Sequence, residues 1–228
     1  MTLARKAYQA LRWDIVRGAY EPDQPLRMAQ LRDRYGMGFS PLREALTRLQ
    51  AERLVVSEAL RGFRVAPLSL SEMRDTTDTR ILIETEALRK AIATGGDDWE
   101  TGIVAALHAL QLQAGRAEPS DEAQLQKLEA RHYEFHRALI IGCASRTLLD
   151  IFETLYVESE RYRNPIISAP TSHSKRDLKA EHAAIAEATL RRDADGATEL
   201  LRAHYTRTAE MIEALAAEGG KPVLAASG

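Results

Sequence analysis

The chain holds a single cysteine, Cys143, so no internal disulfide can form and no CxxC pair is available for metal or redox chemistry. Cys143 is expected to fill core space. No apolar run approaches the roughly 20 residues that cross a bilayer, and the opening MTLARKAYQALRWDIV carries charges within an amphipathic pattern, unlike a signal peptide. The expected compartment is the cytoplasm, with no membrane partner. Catalytic signatures are missing as well: there is no P-loop, no dinucleotide fingerprint and no convincing Ser/His/Asp or Cys/His set. Repeats of solenoid type are absent. What the chain does have is 45% apolar and 28% charged residues over 228 positions, enough for two folded domains.

Excess charge of either sign is also lacking overall, but the near balance hides an asymmetry. Residues 1–70 carry twelve Lys and Arg against seven Asp and Glu, a net of +5, which leaves the remainder at −7 within a total of −2. A basic front end joined to an acidic larger part suggests nucleic-acid contact at the front.

Periodicity divides the basic end into elements. Ala7, Leu11 and Ile15 recur at helical spacing over about 4–17, and Gly18 comes next, where a helix stops. "YEPDQPLRM" reads as a loop, and Met28, Leu31 and Tyr35 make a short helix ended by Gly36. Ser40 is the expected N-cap of a third helix, with Pro41 in its first turn and Leu42, Ala45, Leu46 and Leu49 on its apolar face. Leu54–Val56 and Phe63–Val65 suit two strands joined by a turn. Three helices and a hairpin predict a winged helix-turn-helix over residues 1–68. In that geometry the third helix enters the major groove of double-stranded DNA, so Arg43 and Arg48 are placed for DNA, with Arg61, Gly62 and Arg64 making a basic wing. On spacing alone, Arg43 could instead pair with Glu44 or Glu52 on a solvated face.

"FSPLREALTRLQAERLV...RGFRVAPLS" resembles the GntR-type signature, in which Arg-Glu-Ala-Leu opens the recognition helix and an Arg-Gly pair marks the wing. The resemblance implies DNA contacts for Ser40 and Arg43, and a wing in which Arg61 and Gly62 touch the minor groove or backbone. Many members carry an arginine just before the serine. Phe39 stands there in this chain, so its operator is expected to differ from theirs.

"APLSLSEM" reads as a linker whose Ser71 caps the next helix. Beyond it the pattern is almost wholly helical, over about 71–94, 98–115, 121–142, 146–162, 174–191 and 193–217, which predicts an all-α bundle spanning 72–217. The tail 218–228 is small and polar and is expected to be disordered. His132 and His136, four apart, share one helix face, the separation that lets two imidazoles hold one ion. His182 and His204 lie on two later helices and would supply the remaining ligands. The alternative is that His132, beside Arg131, faces water while His136 and His204 are ordinary core or surface residues.

"HYEFHRALI...EHAAIAEATLRRDADGATELLRAHY" resembles the FCD effector domain of the FadR-type branch of the GntR family, in which Asp-x-x-x-His and two later histidines bind a divalent metal. The resemblance places His136, His182 and His204 on the three histidine positions and His132 where the Asp usually stands. Four nitrogens favour Zn or Ni over Mn or Mg. By the same resemblance Arg80, in Arg-x-x-x-Glu, would reach an effector carboxylate; read from spacing alone, Arg80 could pair with Glu84, and Arg161 and Arg163 in "ESERYRNP" are weaker candidates for a second anion contact. The likeness is nearest to the carbon-starvation-induced, glutarate-responsive repressors. It implies a homodimeric, non-enzymatic DNA-binding regulator controlled by a small dicarboxylate at a metal centre. A regulator that senses the metal alone, or a metal-dependent enzyme acting on a carboxylic acid, would use the same residues.

Overall fold

The computed structural model describes residues 1–58, 62–118, 120–167 and 176–217. By packing, the chain divides into two compact units. One takes Met1–Thr76, Val157–Ile167 and the described residues from Met211 onward; the other takes Thr77–Tyr156 and the described residues up to Glu210.

The first unit is a winged helix-turn-helix built from α1 (Leu3–Val16), β1 (Pro25–Leu26), α2 (Met28–Tyr35), α3 (Phe39–Ala51), β2 (Val55–Glu58) and β3 (Gly62–Val65). Its core obeys the apolar spacing: Ala7, Leu11 and Ile15 of α1 meet Leu31 of α2 and Leu42, Leu46 and Leu49 of α3, with Leu54, Val55 and Val65 closing the base. The three strands form an antiparallel sheet in the order β1-β3-β2. The sequence pattern predicts loop at "DQPL"; instead Pro25 and Leu26 pair with Arg64 and Phe63. An edge strand tolerates a proline because its missing N–H faces away from the ladder. Ala59, Leu60 and Arg61, the expected hairpin turn and part of the wing tip, lie outside the described residues.

Two caps differ from expectation. α3 starts at Phe39 with Gly38 as its N-cap, and no side chain caps it. Ser40 therefore sits inside the first turn with its side chain exposed. The turn accounts for the shift: Gly36 takes the left-handed conformation (φ 64°) that ends α2, and Gly38 is extended, so the chain turns helical one residue before the serine. At α4 (Leu70–Thr94) it is Ser69, not Ser71, whose hydroxyl accepts from the Glu72 N–H, at 3.4 Å. Ser71 instead bonds the Ser69 hydroxyl at 2.7 Å.

A buried carboxylate ties α1 to α2. Asp14 accepts from Arg17 at 2.8 Å, from Arg34 at 2.7 Å and from the Tyr35 hydroxyl at 2.6 Å. Burial pushes the Asp14 carboxyl up, but these donors outweigh it and hold the group below its ordinary value. Asp14→Ala is expected to destabilise the protein by about 2 kcal/mol, since three donors lose a charged acceptor; urea denaturation reads this as a lower midpoint at unchanged slope. Held below its unfolded value, Asp14 contributes stability above the ordinary carboxylate range and loses it as pH falls through its folded value.

The second unit is all-helical. It uses α4, α5 (Asp97–Ala114), α6 (Glu122–Ile140), a short 3-10 turn (Ile141–Cys143), the first half of α7 (Arg146–Ile167), α8 (Leu178–Leu190) and most of α9 (Ala194–Ala217). Ile81, Leu88, Ile103, Phe135, Leu139, Phe152, Ile185 and Leu201 make its core, with Cys143 buried among them as expected. α7 runs to Ile167, five residues beyond its expected end, and α8 starts at Leu178 with Asp177 as side-chain cap. Among the described residues, no helix is long and apolar enough to cross a membrane.

Candidate metal centre and nucleic-acid interface

Four histidines from three helices converge. His132 and His136 come from the last turns of α6, His182 from α8 and His204 from α9, and all four are buried. One ligand atom from each lies within 4.8 Å of the others. The i, i+4 spacing on α6 brings the His132 and His136 rings to 4.5 Å between centres, while His182 and His204 stand 4.8 Å apart. His132 is buried, so the alternative in which it faces water does not hold.

Surrounding hydrogen bonds decide which nitrogens point inward. The Tyr156 hydroxyl donates to Glu129 at 2.6 Å, so its oxygen must accept from His132 Nδ1–H, at 2.8 Å. In the same way the Tyr205 hydroxyl donates to Glu84 and accepts from His136 Nδ1–H at 2.9 Å. Both histidines are thus protonated on Nδ1 and turn unprotonated Nε2 atoms towards each other, 3.1 Å apart. Two lone pairs that close repel unless a cation lies against both. Adjacent nitrogens around a Zn-sized ion, each about 2.1 Å from it, would stand about 3.0–3.4 Å apart. The residues present fit a divalent ion.

His204 is prepared by a different route. Its Nδ1–H donates to Glu181 at 2.9 Å, and Arg176 bonds both Glu181, at 2.6 Å, and the His204 carbonyl, at 2.9 Å. Burial pushes the His204 imidazole down from 6.5 to about 4, helped by the Arg176 and Arg80 charges and opposed by Glu181. Glu181 is held well below the usual carboxylate range: burial raises it, but hydrogen bonds from Arg176 and His204 prevail. His204 therefore stays neutral near pH 7, the form a metal requires. Because its folded value lies below its unfolded one, the unfolded chain binds more protons between pH 6.5 and about 4, and metal-free protein is expected to lose stability as pH falls through that window. Denaturation of chelated protein at pH 7, 6 and 5 would check this.

Arg80 is tied to the histidines through Tyr205. Its Nε donates to Glu84 at 2.7 Å and its Nη2 to the Tyr205 hydroxyl at 3.1 Å, with the guanidinium 4.3 Å from the Tyr205 ring centre. The intrahelical pair with Glu84 is therefore formed. Arg161 donates to the backbone carbonyls of Arg53, Ala66 and Pro67, and so fastens α7 to the residues flanking the wing. Arg163 is buried in the same stretch of α7, in the first compact unit, whereas the histidines belong to the second. Sequence reasoning does not single out Tyr156, Glu129, Glu181, Tyr205 or Arg176. Glu181 and Tyr205 directly precede and succeed histidines, a signal that was present; nothing in local spacing marks Tyr156 or Arg176.

In the winged unit, Ser40, Arg43 and Thr47 share the exposed face of α3. Glu52 does not hold Arg43: it accepts from Tyr8 at 2.7 Å and pairs with Arg48 at 3.4 Å. Arg48 lies about 140° around the helix from Arg43 on a 3.6-residue turn, with its guanidinium 3.8 Å from the Tyr8 ring centre. Gly62, exposed at the start of β3, has φ 82°, a conformation that favours glycine. Arg64 pairs with Asp23 at 3.7 Å.

Residues 75–207 match the FCD domain family, and residues 3–65 match the bacterial regulatory proteins of the gntR family. The chain is 39% identical over 212 residues to the HTH-type transcriptional repressor GlaR of Escherichia coli (strain K12), covering 90% of this chain and 94% of that one. It is 36% identical over 211 residues to the uncharacterized HTH-type transcriptional regulator BphR of Paraburkholderia xenovorans (strain LB400), covering 92% and 85%. Among solved structures, E. coli McbR/YncC superposes with a TM-score of 0.76 at 18% identity over 95% of this chain and 99% of that one, a likeness of fold. These families and relatives are regulators, which sets the enzyme reading aside. The chain belongs to the GntR family of transcriptional regulators, with an FCD domain after its winged helix-turn-helix.

Proposed function

We propose that the protein is a homodimeric repressor whose hold on a pseudo-palindromic operator is set by a small dicarboxylate bound at a metal centre. The domain limits we adopt are 1–68 for DNA binding and 72–217 for the effector. The observation that carries the metal is the convergence of four buried histidines, one ligand atom from each lying within 4.8 Å of the others and the His132 and His136 Nε2 atoms 3.1 Å apart. Four imidazole nitrogens favour Zn or Ni. When bound, the ion would supply a positive site for one carboxylate, and Arg80 would take a second group, as in glutarate or 2-hydroxyglutarate. The name of the 39% identical repressor supports repression as the sign. α7 carries Tyr156, bonded to His132, and a little over one turn later Arg161, bonded to the carbonyls of Ala66 and Pro67 at the linker. Acid binding would bias the winged domain through the linker over residues 66–73, at a coupling of roughly 1–3 kcal/mol.

A response to the metal alone is the second reading, favoured by the fact that Arg80 is already paired with Glu84. Calorimetry of each acid on metal-loaded protein, with and without operator DNA, separates the two. An acid that binds equally well in both cases is no inducer, and no binding at millimolar concentration leaves only the metal reading.

The DNA assignment has its own test. Arg43→Ala is expected to cost about 1–3 kcal/mol at the cognate site and to relax base choice. Arg48→Ala, which removes a group held against Tyr8 and Glu52, should weaken all sequences evenly. Mobility shifts on cognate and scrambled duplexes give both numbers; unchanged base preference in Arg43→Ala would remove it from the reading face. Arg61 and Gly62 are proposed as the wing contacts.

A further inference from the structure

The first residue of α3 is a large apolar side chain that the fold does not use. Phe39 is 49% exposed and belongs to neither hydrophobic core. Its ring instead receives the guanidinium of Arg32, from the last turn of α2, 5.6 Å from the ring centre. Asp33 orients that arginine, its Oδ1 accepting from Nε at 2.9 Å and from Nη2 at 2.8 Å. The ring is thus seated against a cation while about half of the residue stays exposed.

Its place on the helix gives that exposure a use. Phe39 and Arg43 are four residues apart, so they lie on one face, about 6 Å apart along the axis. Base pairs stack at about 3.4 Å, and the two side chains would address bases about two steps apart. In the major groove every base edge offers hydrogen-bonding groups, but only thymine also offers a methyl group. A phenyl ring has no hydrogen bond to give and gains by covering that methyl.

We propose that Phe39, seated against Arg32, is a specificity-determining residue that packs on the 5-methyl group of a thymine about two base pairs from the base addressed by Arg43. The inference rests on the operator-binding reading above. Cytosine lacks the methyl, and the purines would set polar edges against the ring.

Selection of full-length protein on random-sequence duplexes, and then replacement of each thymine in the selected site by deoxyuridine, tests it. Deoxyuridine removes the methyl and nothing else. In each half-site one such replacement should weaken wild-type binding by about fourfold, the effect of one buried methyl group. Phe39→Ala should bind thymine and uracil duplexes alike while keeping the preference that depends on Arg43, and its melting temperature should be that of the wild type because the site is exposed. Arg32→Ala should reduce the uracil penalty by unseating the ring. Wild-type indifference to every uracil, or the same methyl dependence in Phe39→Ala, overturns the proposal while the operator reading stands. If the wild type enriches no sequence at all, both fall together.

Discussion

The His136→Ala protein is expected to leave purification without the divalent metal that the untagged wild type should hold at about one per chain. His136 Nε2 faces His132 Nε2 at 3.1 Å, and its Nδ1 anchors to Tyr205, whose hydroxyl is fixed by Glu84. Removing it takes one of four donors and leaves His132 without the neighbour that shares its ion. Outer partners of a metal ligand cost about 10–100-fold in affinity when lost, so loss of a ligand itself should exceed 100-fold. An ion held by the native state alone stabilises it by about 4 kcal/mol at 1,000 times its dissociation constant. Chelator should therefore lower the melting temperature of the wild type and leave that of His136→Ala unchanged. Tyr156→Phe provides the graded control. It removes the hydroxyl that fixes His132 with Nδ1 protonated and should fall in the 10–100-fold range. Elemental analysis and melting with and without chelator measure all three; a His136→Ala protein with wild-type metal content and chelator sensitivity would take His136 out of the centre.

The fold was legible in the sequence because its periodicities were strong. Ala7, Leu11, Ile15 and Leu42, Leu46, Leu49 mark two helix faces that the structure buries together. The features that local pattern missed depend on backbone conformation or on partners distant in the chain. Pro25–Leu26 becomes a strand only because β3 is there to pair with it, and two residues carry no alternation to read. The helix start at Phe39 comes from the Gly36 turn and not from the capping preference of Ser40.

The four histidines were legible because two of them share an i, i+4 face and two later helices carry one each, and the resemblance aligned the set with the family's ligand positions. Their orientation was not. Tyr156 is 24 positions from His132, and Tyr205 is 69 from His136, so only the folded bundle brings each hydroxyl to an Nδ1. Arg80 shows a different limit. Spacing makes it an intrahelical partner of Glu84 and the resemblance makes it an anchor for an acid; the structure forms the first and ties the same guanidinium to Tyr205.

Arg80→Ala is accordingly expected to do two separable things: to lower folding stability by about 3–5 kcal/mol and to abolish binding of the dicarboxylate. The first effect comes from Glu84. It is 1% exposed, takes 2.7 Å from Arg80 Nε and also accepts from Tyr205, so truncating the arginine strands a buried carboxylate. The second comes from the loss of a guanidinium bonded to a tyrosine that itself touches a histidine of the cluster. A stability loss alone would mimic a binding defect, and a second variant keeps them apart. Arg80→Met with Glu84→Gln removes both charges at similar volume, so most of the stability should return because no unpaired charge remains buried. The acid should still fail to bind, because a thioether cannot replace a guanidinium opposite a carboxylate. Chemical denaturation of Arg80→Met, Glu84→Gln and the double variant yields the coupling energy of the pair, and calorimetry with glutarate and 2-hydroxyglutarate on metal-loaded protein yields the binding. If the double variant binds the acid as the wild type does, Arg80 is only the structural partner of Glu84, and the metal alone must hold the effector.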